Sequence, residues 1–265
     1  MALSKLELEN QKQERLYSEK YNKQGCLMKI IAYNGVRKTT IQFQDQYKYT
    51  TTTFYKHFVN GDIVNPYFPC VLGIGMPGAK YPTKVNGKNT REYRAWYNML
   101  LRCYDKRIHK KEPTYVPCEC CEEWLLFENF YEWLHSQENF NTINKIEWAL
   151  DKDILIKGNK IYSPETCCLV PQTVNNLFVK SNAARGKYPI GVSYYKSISK
   201  YACQCHDSGE NVYLGVYNNP EEAFNVYKQF KEKVIKRIAK EEYNKGNIIK
   251  QCYDAMMNYE VEITD

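Results

Sequence analysis

Hydrophobic and polar residues recur with different periods along the chain, and these periods predict its helices and strands. Strand-like alternation occurs early, where "CLMKIIAY" and "VRKTTIQF" flank Asn34-Gly35. An Asn-Gly pair between two such segments is typical of a hairpin with a two-residue type I′ turn. The next segment, "YKHFVNGDIVNP", predicts a short helical turn that ends at Gly61. The first third of the chain is therefore expected to be rich in β-structure.

Helical spacing replaces this alternation in the centre. The segments "REYRAWYNMLLRCYD" and "EEWLLFENFYEWLHSQ" repeat apolar residues every three or four positions, which predicts two amphipathic helices. The residues expected to face the core are Tyr93, Trp96, Met99, Leu100, Cys103, Trp124, Phe127, Phe130, Tyr131 and Leu134. The preceding segment "VLGIGMPGAKYPTKVNGKN" is rich in glycine, proline and lysine, and we expect a flexible connection there.

Three strands and a long helix are predicted near the C-terminus, in "YPIGVSYYKSISKYACQCHDSGENVYLGVYNNPEEAFNVYKQFKEKVIKRIAKEEY". The letters "DSGEN" separate the second and third strands. The helix is expected to start at "NNPEEAF", because Pro220 suits the first turn and acidic residues suit the positive end of the helix dipole.

A strand, a loop, a second strand and a helix are predicted for "WALDKDILIKGNKIYSPETCCLVPQTVNN", with Pro171 at the first helical position. Over these roughly 30 residues the chain resembles the HNH, or ββα-metal, nuclease family, especially its phage homing-endonuclease branch. The resemblance implies one divalent ion, Mg²⁺ or Mn²⁺, held by Asp151 and by Asn175 (or Asn176). It also implies that Asn159 braces the loop.

Lys152 departs from this family, because it stands where the general-base histidine is expected. The catalytic candidates are Lys152, Asp153 and Asn159. The carboxylates of Asp151 and Asp153 favour the charged form of the lysine, and a charged amine cannot accept a proton from water.

Four alternatives follow for this site. A charged lysine holds a phosphate, metal-bound water reacts slowly without a base, another residue supplies the base, or the site is inactive. The nearest histidines in sequence are His109 and His135, and both are expected to be ordinary surface residues.

The C-terminal pattern resembles the APETALA/ethylene-response DNA-binding domain, which also occurs in phage endonucleases. The matching letters are Gly191-Val192, Lys200-Tyr201-Ala202, Leu214-Gly215, Tyr217, Pro220-Glu221-Glu222-Ala223 and Tyr227. In that family the sheet lies in the major groove of double-stranded DNA. The positions implied to face DNA are Ser193, Tyr195, Lys200, Gln204, His206, Asn211 and Tyr213.

Period two supports this assignment, because it places Lys200, Gln204 and His206 on one face of a strand and Tyr201, Cys203 and Cys205 on the other. The family's usual arginines are replaced by Ser193, Tyr195 and His206, so base readout is expected to differ, with Gln204 as the candidate for adenine.

Charge and cysteine content add two further expectations. The formal net charge is +7, and residues 180–250 hold 13 Lys and Arg against 7 Asp and Glu, a balance of +6 that suits a nucleic-acid partner. The eleven cysteines are expected to be reduced thiols in a cytoplasmic protein, since no membrane span or signal peptide is predicted. In "PCECC" the usual spacing of paired zinc knuckles is missing, so ordinary thiols are expected; a structural Zn²⁺ site with Cys103 or Cys167 is the alternative.

Together these patterns predict an α+β protein of four parts. They are a polar helical lead (1–24), a β-rich N-terminal module (25–88), a helical pair with an HNH-like ββα unit (89–182), and a three-stranded sheet packed on one long helix (183–265). The function expected from the two resemblances is site-directed, divalent-metal-dependent nicking or cleavage of DNA. A DNA-binding or interaction protein without catalysis, such as a regulator or an antagonist of host defence, is the alternative.

Overall fold

The computed structural model describes residues 5–179 and 187–263. Contacts divide the chain into two compact units, Met1–Lys111 with Glu122–Tyr131, and Glu112–Cys121 with Glu132–Asp265. The predicted boundary between residues 182 and 183 lies outside the described residues. Among the described residues, no helix combines the length and the apolar character that a membrane crossing requires.

The first unit begins with helix α1 (Lys5–Arg15) and an antiparallel sheet of order β1-β2-β3-β4. Its strands are β1 (Glu19–Tyr21), β2 (Leu27–Tyr33), β3 (Thr39–Phe43) and β4 (Thr50–Thr53), and helix α2 (Tyr55–Asn60) follows. Alternate side chains of β2 and β3 are buried with Phe58 of α2: Met28, Ile30, Tyr33, Ile41 and Phe43. This alternation confirms the predicted β-rich module, and the left-handed Gly61 (φ 68°) ends α2 as predicted.

The hairpin between β2 and β3 forms, but its predicted two-residue turn is wrong. Five residues, 34–38, connect the strands; the Asn34 amide donates to the Lys38 carbonyl at 2.9 Å, and the Lys38 amide donates to Gly35. Only Gly35 of the Asn-Gly pair has a positive φ, whereas a type I′ turn needs two such residues. The Val36 carbonyl instead accepts a hydrogen bond from the Tyr55 amide at 2.8 Å, and this contact with α2 holds the longer loop.

The glycine-rich connection is held in place, contrary to the prediction of a flexible segment. It contains a two-stranded hairpin, β5 (Lys84–Val85) with β6 (Lys88–Asn89). Glu128 is buried, and its Oε1 accepts hydrogen bonds from the Ala79 and Lys80 amides at 2.6 Å each and from the Tyr67 hydroxyl at 3.0 Å. One carboxylate from a distant helix therefore fixes the segment.

Both amphipathic helices are confirmed. They are α3 (Arg91–Tyr104), followed by the short α4 (Lys106–Lys111), and α5 (Phe127–Ser136), which is preceded by a 3-10 turn at Glu122–Leu125. The predicted core residues are buried except for Tyr93 and Tyr131, which are half-buried. Within the first unit, the Trp96 indole donates to the Trp124 carbonyl at 2.6 Å.

The second unit contains the predicted ββα arrangement. Strand β8 (Trp148–Asp151) pairs antiparallel with β10 (Cys168–Pro171), and helix α7 (Gln172–Asn175) follows. Smaller elements surround it: helix α6 (Phe140–Ile143) and the parallel pair β7 (Glu119–Cys120) and β9 (Ile161–Tyr162). Pro171 is not the first helical residue. It pairs with Trp148 at the end of β10 and has an extended ψ of 144°, so the helix begins one residue later.

The C-terminal sheet confirms the α+β class. Strands β11 (Val192–Tyr195), β12 (Lys200–Asp207) and β13 (Glu210–Tyr217) form an antiparallel sheet in chain order, and the sheet packs against helix α8 (Pro220–Asn244). Ser208 and Gly209 form the predicted break between β12 and β13, with φ values of 51° and 94°. The Asn219 side chain caps α8 by accepting a hydrogen bond from the Glu222 amide at 2.7 Å.

One hydrophobic core joins the ββα segment to the C-terminal sheet and helices. It combines residues from the loop after β8 and from β10, α7, β12, α8 and the final helix α9 (Lys250–Met257). Its fully buried members include Cys168, Val170, Val174, Cys203, Ala223, Ile235, Ala239, Cys252 and Met256. The second unit is therefore a single packed body.

Candidate functional site

The seven residues predicted to face DNA lie on one face of the C-terminal sheet. Cross-strand partners in a sheet share a face, and so do alternate residues of a strand. Lys200, Gln204 and His206 alternate along β12, and their partners are Tyr195, Tyr213 and Asn211, respectively. Ser193 pairs with Ala202 and completes the set. The register therefore brings all seven side chains together, and this set is called the outer face below.

Exposure agrees with this register. Six of the seven residues are exposed and Ser193 is half-buried, whereas Cys203 and Cys205 are buried in the core beneath α8. Tyr195 and Tyr213 are 45% and 61% exposed, so both rings are accessible on this face. The outer face thus presents aromatic and amide groups to solvent.

Among the seven described side chains of the outer face, one pair lies within hydrogen-bond distance. His206 Nδ1 and Asn211 Oδ1 are 3.3 Å apart across β12 and β13. A register shift between Cys203 and Gln204 leaves Leu214 unpaired, next to Gly215 at φ 117°. Such a bulge increases the local twist and changes the direction of neighbouring side chains. The sheet surface is therefore curved beside the Gln204–Tyr213 pair.

A second candidate site surrounds the loop after β8. The Asp151 carboxylate lies at the end of that strand, and its Oδ1 accepts hydrogen bonds from the Asp153 and Ile154 amides at 2.7 Å each. Burial raises the pKa of this carboxyl, while the two amide hydrogen bonds and the Lys152 charge act in the opposite direction. Asp151 therefore caps the turn that begins the loop.

Lys152, the departure from the nuclease pattern, is a buried side chain. It is 5% exposed, and its Nζ donates to Asp153 Oδ2 at 2.7 Å and to the Asn159 carbonyl at 2.9 Å. The ammonium also lies 5.8 Å from the centre of the Tyr162 ring. These partners stabilise an ammonium ion at the position that the resemblance assigns to a neutral base, and they leave little of it exposed for a phosphate.

Asn159 braces the loop in the structure. Its Nδ2 donates to the Lys152 carbonyl at 2.9 Å and to the Ile161 carbonyl at 2.7 Å, and its Oδ1 accepts from the Ile161 amide at 3.2 Å. Three hydrogen bonds from one side chain therefore join the two ends of the loop. This is the position that the resemblance assigns to the bracing asparagine.

The loop after β8 carries two carboxylates, Asp151 and Asp153, and carboxylate oxygens are ligands of the type that hard divalent cations prefer. The side chain of Asp153 is 46% exposed, yet its Oδ1 is buried and has no hydrogen-bond partner among the described residues. Mg²⁺ is commonly bound through one or two carboxylates together with phosphates of its substrate, so Asp151 and Asp153 are suitable ligands. No hydrogen bond or ion pair links Asn175 to Asp151 within the described chain, and α7 is a single turn.

His109 and His135, the two histidines considered as alternative bases, have different surroundings. His109, in α4, forms a hydrogen bond between its Nε2 and the Arg102 carbonyl at 2.8 Å, so that nitrogen carries the proton. The ring of His135 lies 4.1 Å from that of Phe140, centre to centre. The first contact joins α4 to α3, and the second joins α5 to α6.

All eleven cysteines are thiols, and seven of them are buried. Cys118 donates to the Thr114 carbonyl at 3.8 Å, and Cys120 lies 3.4 Å from the Cys121 carbonyl. Burial raises the pKa of Cys167 to about 12 and that of Cys203 to about 11, so these two thiols stay neutral. Over the part of the chain that the structure describes, no three or more His, Cys, Asp or Glu side chains form a metal-ligand group.

Comparison of this chain with protein-family models, with curated proteins and with solved structures gives no match. The two family resemblances therefore rest on the residues named above, and the chemistry of each site is inferred from its own geometry.

Proposed function

We propose that this chain binds double-stranded DNA through the outer face of β11–β13. The observation that supports the proposal is the shared face of the seven residues, with two tyrosines and an amide exposed beside Lys200. Two- and three-stranded sheets enter the major groove, and alternate side chains then reach base edges or phosphates. In this arrangement Gln204 reads adenine, and Lys200 neutralises a phosphate.

A binding assay with the full chain and a mixed-sequence duplex tests this proposal. We expect the logarithm of affinity to fall linearly with the logarithm of salt concentration, because bound phosphates release counterions. Lys200→Gln should reduce that slope by about one. The triple variant Lys200→Gln, Gln204→Ala, Tyr213→Ala should bind about a thousandfold more weakly, since each of the three lost contacts is worth about tenfold.

A matched control removes more charge from the opposite side of the domain. Lys233, Lys236 and Lys240 lie on the solvent side of α8, away from the sheet. Their combined replacement by Gln should change affinity by less than about threefold, because salt screens charges beyond about 10 Å. If this control loses more affinity than the outer-face triple variant, the helix and not the sheet contacts DNA.

We further propose cleavage of the bound DNA as a second function, in line with the phage endonuclease resemblance. The observation in its favour is the unsatisfied, buried Oδ1 of Asp153, two residues beyond Asp151. These two carboxylates would hold a Mg²⁺ or Mn²⁺ ion, and such an ion stabilises negative charge on a phosphate oxygen. Asn159 joins the two ends of the loop by hydrogen bonds, and Lys152 donates a hydrogen bond that orients Asp153.

A plasmid-relaxation assay in Mg²⁺ or Mn²⁺, with EDTA as the blank, tests cleavage. Asp151→Asn is the informative variant, because its Oδ1 still accepts both amide hydrogen bonds while the negative charge is lost. We expect relaxation by the wild type, none in EDTA, and at least about a hundredfold less with Asp151→Asn. Wild-type protein that binds DNA but never relaxes the plasmid would leave a non-catalytic DNA-binding protein, such as a regulator or an antagonist of host defence. In either case we place its action in the cytoplasm of a bacterium infected by a phage.

A further inference from the structure

An open apolar groove lies on the N-terminal module. Its lining residues fall between Val36 and Asn60 and include none of the residues of the two candidate sites. It has a volume of about 380 Å³ and lies between the β2–β3 loop and helix α2. Its walls include Val36, Phe54 and Val59, which are 45%, 44% and 43% exposed. Large apolar side chains gathered in one concave surface are typical of a binding site and not of an ordinary surface.

Hydrogen bonds hold the walls of this groove in position. The Tyr55 amide donates to the Val36 carbonyl at 2.8 Å, which ties the loop to α2. The ring of Tyr55, which also lines the groove, lies 4.2 Å from the Arg15 guanidinium and packs edge-on against the Tyr33 ring at 5.9 Å. A groove that needs no rearrangement loses little conformational entropy when it binds a partner.

The rim of the groove is positive. Arg37 and Lys56 both line it and both are exposed, and neither forms an ion pair with any residue that the structure describes. Lys56 lies 5.7 Å from the centre of the Phe54 ring, so one cation stands directly beside the apolar wall. The first turn of α2 contains no acidic residue that could neutralise it. A partner that complements both features carries negative charge next to a bulky apolar group.

We propose that this groove binds a peptide segment of another protein in which a large apolar side chain is flanked by acidic residues. The apolar side chain fills the space between Val36, Phe54 and Val59, and carboxylates meet Arg37 and Lys56. Val36 and Val59 supply aliphatic walls beside the Phe54 and Tyr55 rings, and this mixed lining suits a Leu, Ile or Phe side chain. The stacked bases of a single-stranded nucleic acid would need a row of aromatic faces. The groove belongs to the first unit and the outer face to the second, and the two share no residue.

The test uses a random twelve-residue peptide library displayed on phage and selected on the full-length chain. Clones that also bind the Val59→Glu variant are discarded, because that variant places a negative charge in the groove. We expect the remaining peptides to share a bulky apolar residue with acidic neighbours. A selected peptide should bind about tenfold more weakly after its apolar residue is changed to Ser, and likewise to an Arg37→Glu, Lys56→Glu variant.

Two changes on the β5–β6 hairpin of the same unit serve as controls. Val85→Glu and Lys84→Glu alter an exposed valine and an exposed lysine outside the groove, and each should leave peptide affinity unchanged. Failure to enrich any peptide, or enrichment of peptides without acidic residues, overturns the proposal. It is also overturned if oligo(dT) displaces the peptide, or if sedimentation shows a dimer of the wild type that the Val59→Glu variant does not form.

Discussion

Gly191→Ala is expected to lower the free energy of unfolding of the C-terminal sheet by about 3 kcal/mol or more, from overpacking and backbone strain together. Gly191 has a φ of 75°, and an added Cβ would lie 2.1 Å from Cδ2 of the Tyr227 ring. That ring is 5% exposed and packs in the core of the second unit, so moving it disturbs the side chains around it. The Gly191 carbonyl also accepts a hydrogen bond from the Gln204 amide at 3.0 Å, so a shift of the backbone disturbs the outer face. Hydrogen exchange of the β12 amides in the full chain measures the loss.

Gly209→Ala is the matched control for that substitution. Gly209 also has a positive φ, 94°, but nothing lies within 4 Å of an added Cβ there. It should cost only the backbone strain, about 1 kcal/mol. If the two variants lose equal stability, the close approach to Tyr227 does not matter. In a double-mutant cycle, Gly191→Ala and Tyr227→Leu together should cost less than the sum of the two single changes, because the smaller side chain makes space for the added Cβ.

Lys152→Met is expected to destabilise the loop after β8 by about 2 kcal/mol, because a hydrogen-bonded ammonium is lost while its partners remain. The Asn159 carbonyl and Asp153 Oδ2 would both lose their donor. Asp153 is nearly half exposed and regains water, which keeps the expected effect below that of a fully buried ion pair. Hydrogen exchange of residues 151–162, or the urea midpoint of the second unit, reports the change.

Lys145→Met provides the comparison for Lys152→Met. Lys145 is an exposed lysine of the same unit, and its replacement should change stability by less than about 0.5 kcal/mol. A Lys152 variant as stable as this control would mean that the ammonium does not hold the loop. The site would then be available for another role of the lysine, including contact with a phosphate.

Local patterns in the sequence predicted the outer face well. Cys203 and Cys205 of β12 are buried while Lys200, Gln204 and His206 are exposed, and period two then assigns these side chains to opposite faces. The start of α8 was predictable for a similar reason, since Asn219, Pro220 and Glu222 are local capping signals. These features depend on neighbours within a few residues.

Other features depend on distant partners, and the sequence predicted them poorly. The glycine-rich connection is fixed by Glu128, which lies 48 residues beyond Lys80. The predicted two-residue turn at Asn34-Gly35 is replaced by a five-residue loop, in which the Val36 carbonyl accepts a hydrogen bond from the Tyr55 amide of a later helix. Burial of Lys152 depends on the Asn159 carbonyl and the Tyr162 ring, and no pattern around "LDKD" predicts those contacts. The polar residues of such a loop look the same whether they bind one another or a ligand.

The common core of the second unit limits how this protein can recombine with others. Val170 and Val174 of the ββα segment are buried together with Cys203 of the sheet and Ile235 of α8. A genetic crossover between those two segments would combine two halves of a hydrophobic core whose side chains do not match in shape. If the outer face reads DNA as proposed, the part that can be exchanged as a whole includes the ββα segment as well as the sheet and its helices. Under that proposal, a change of target site is expected to come from substitutions of individual outer-face residues while the order of the segments stays the same.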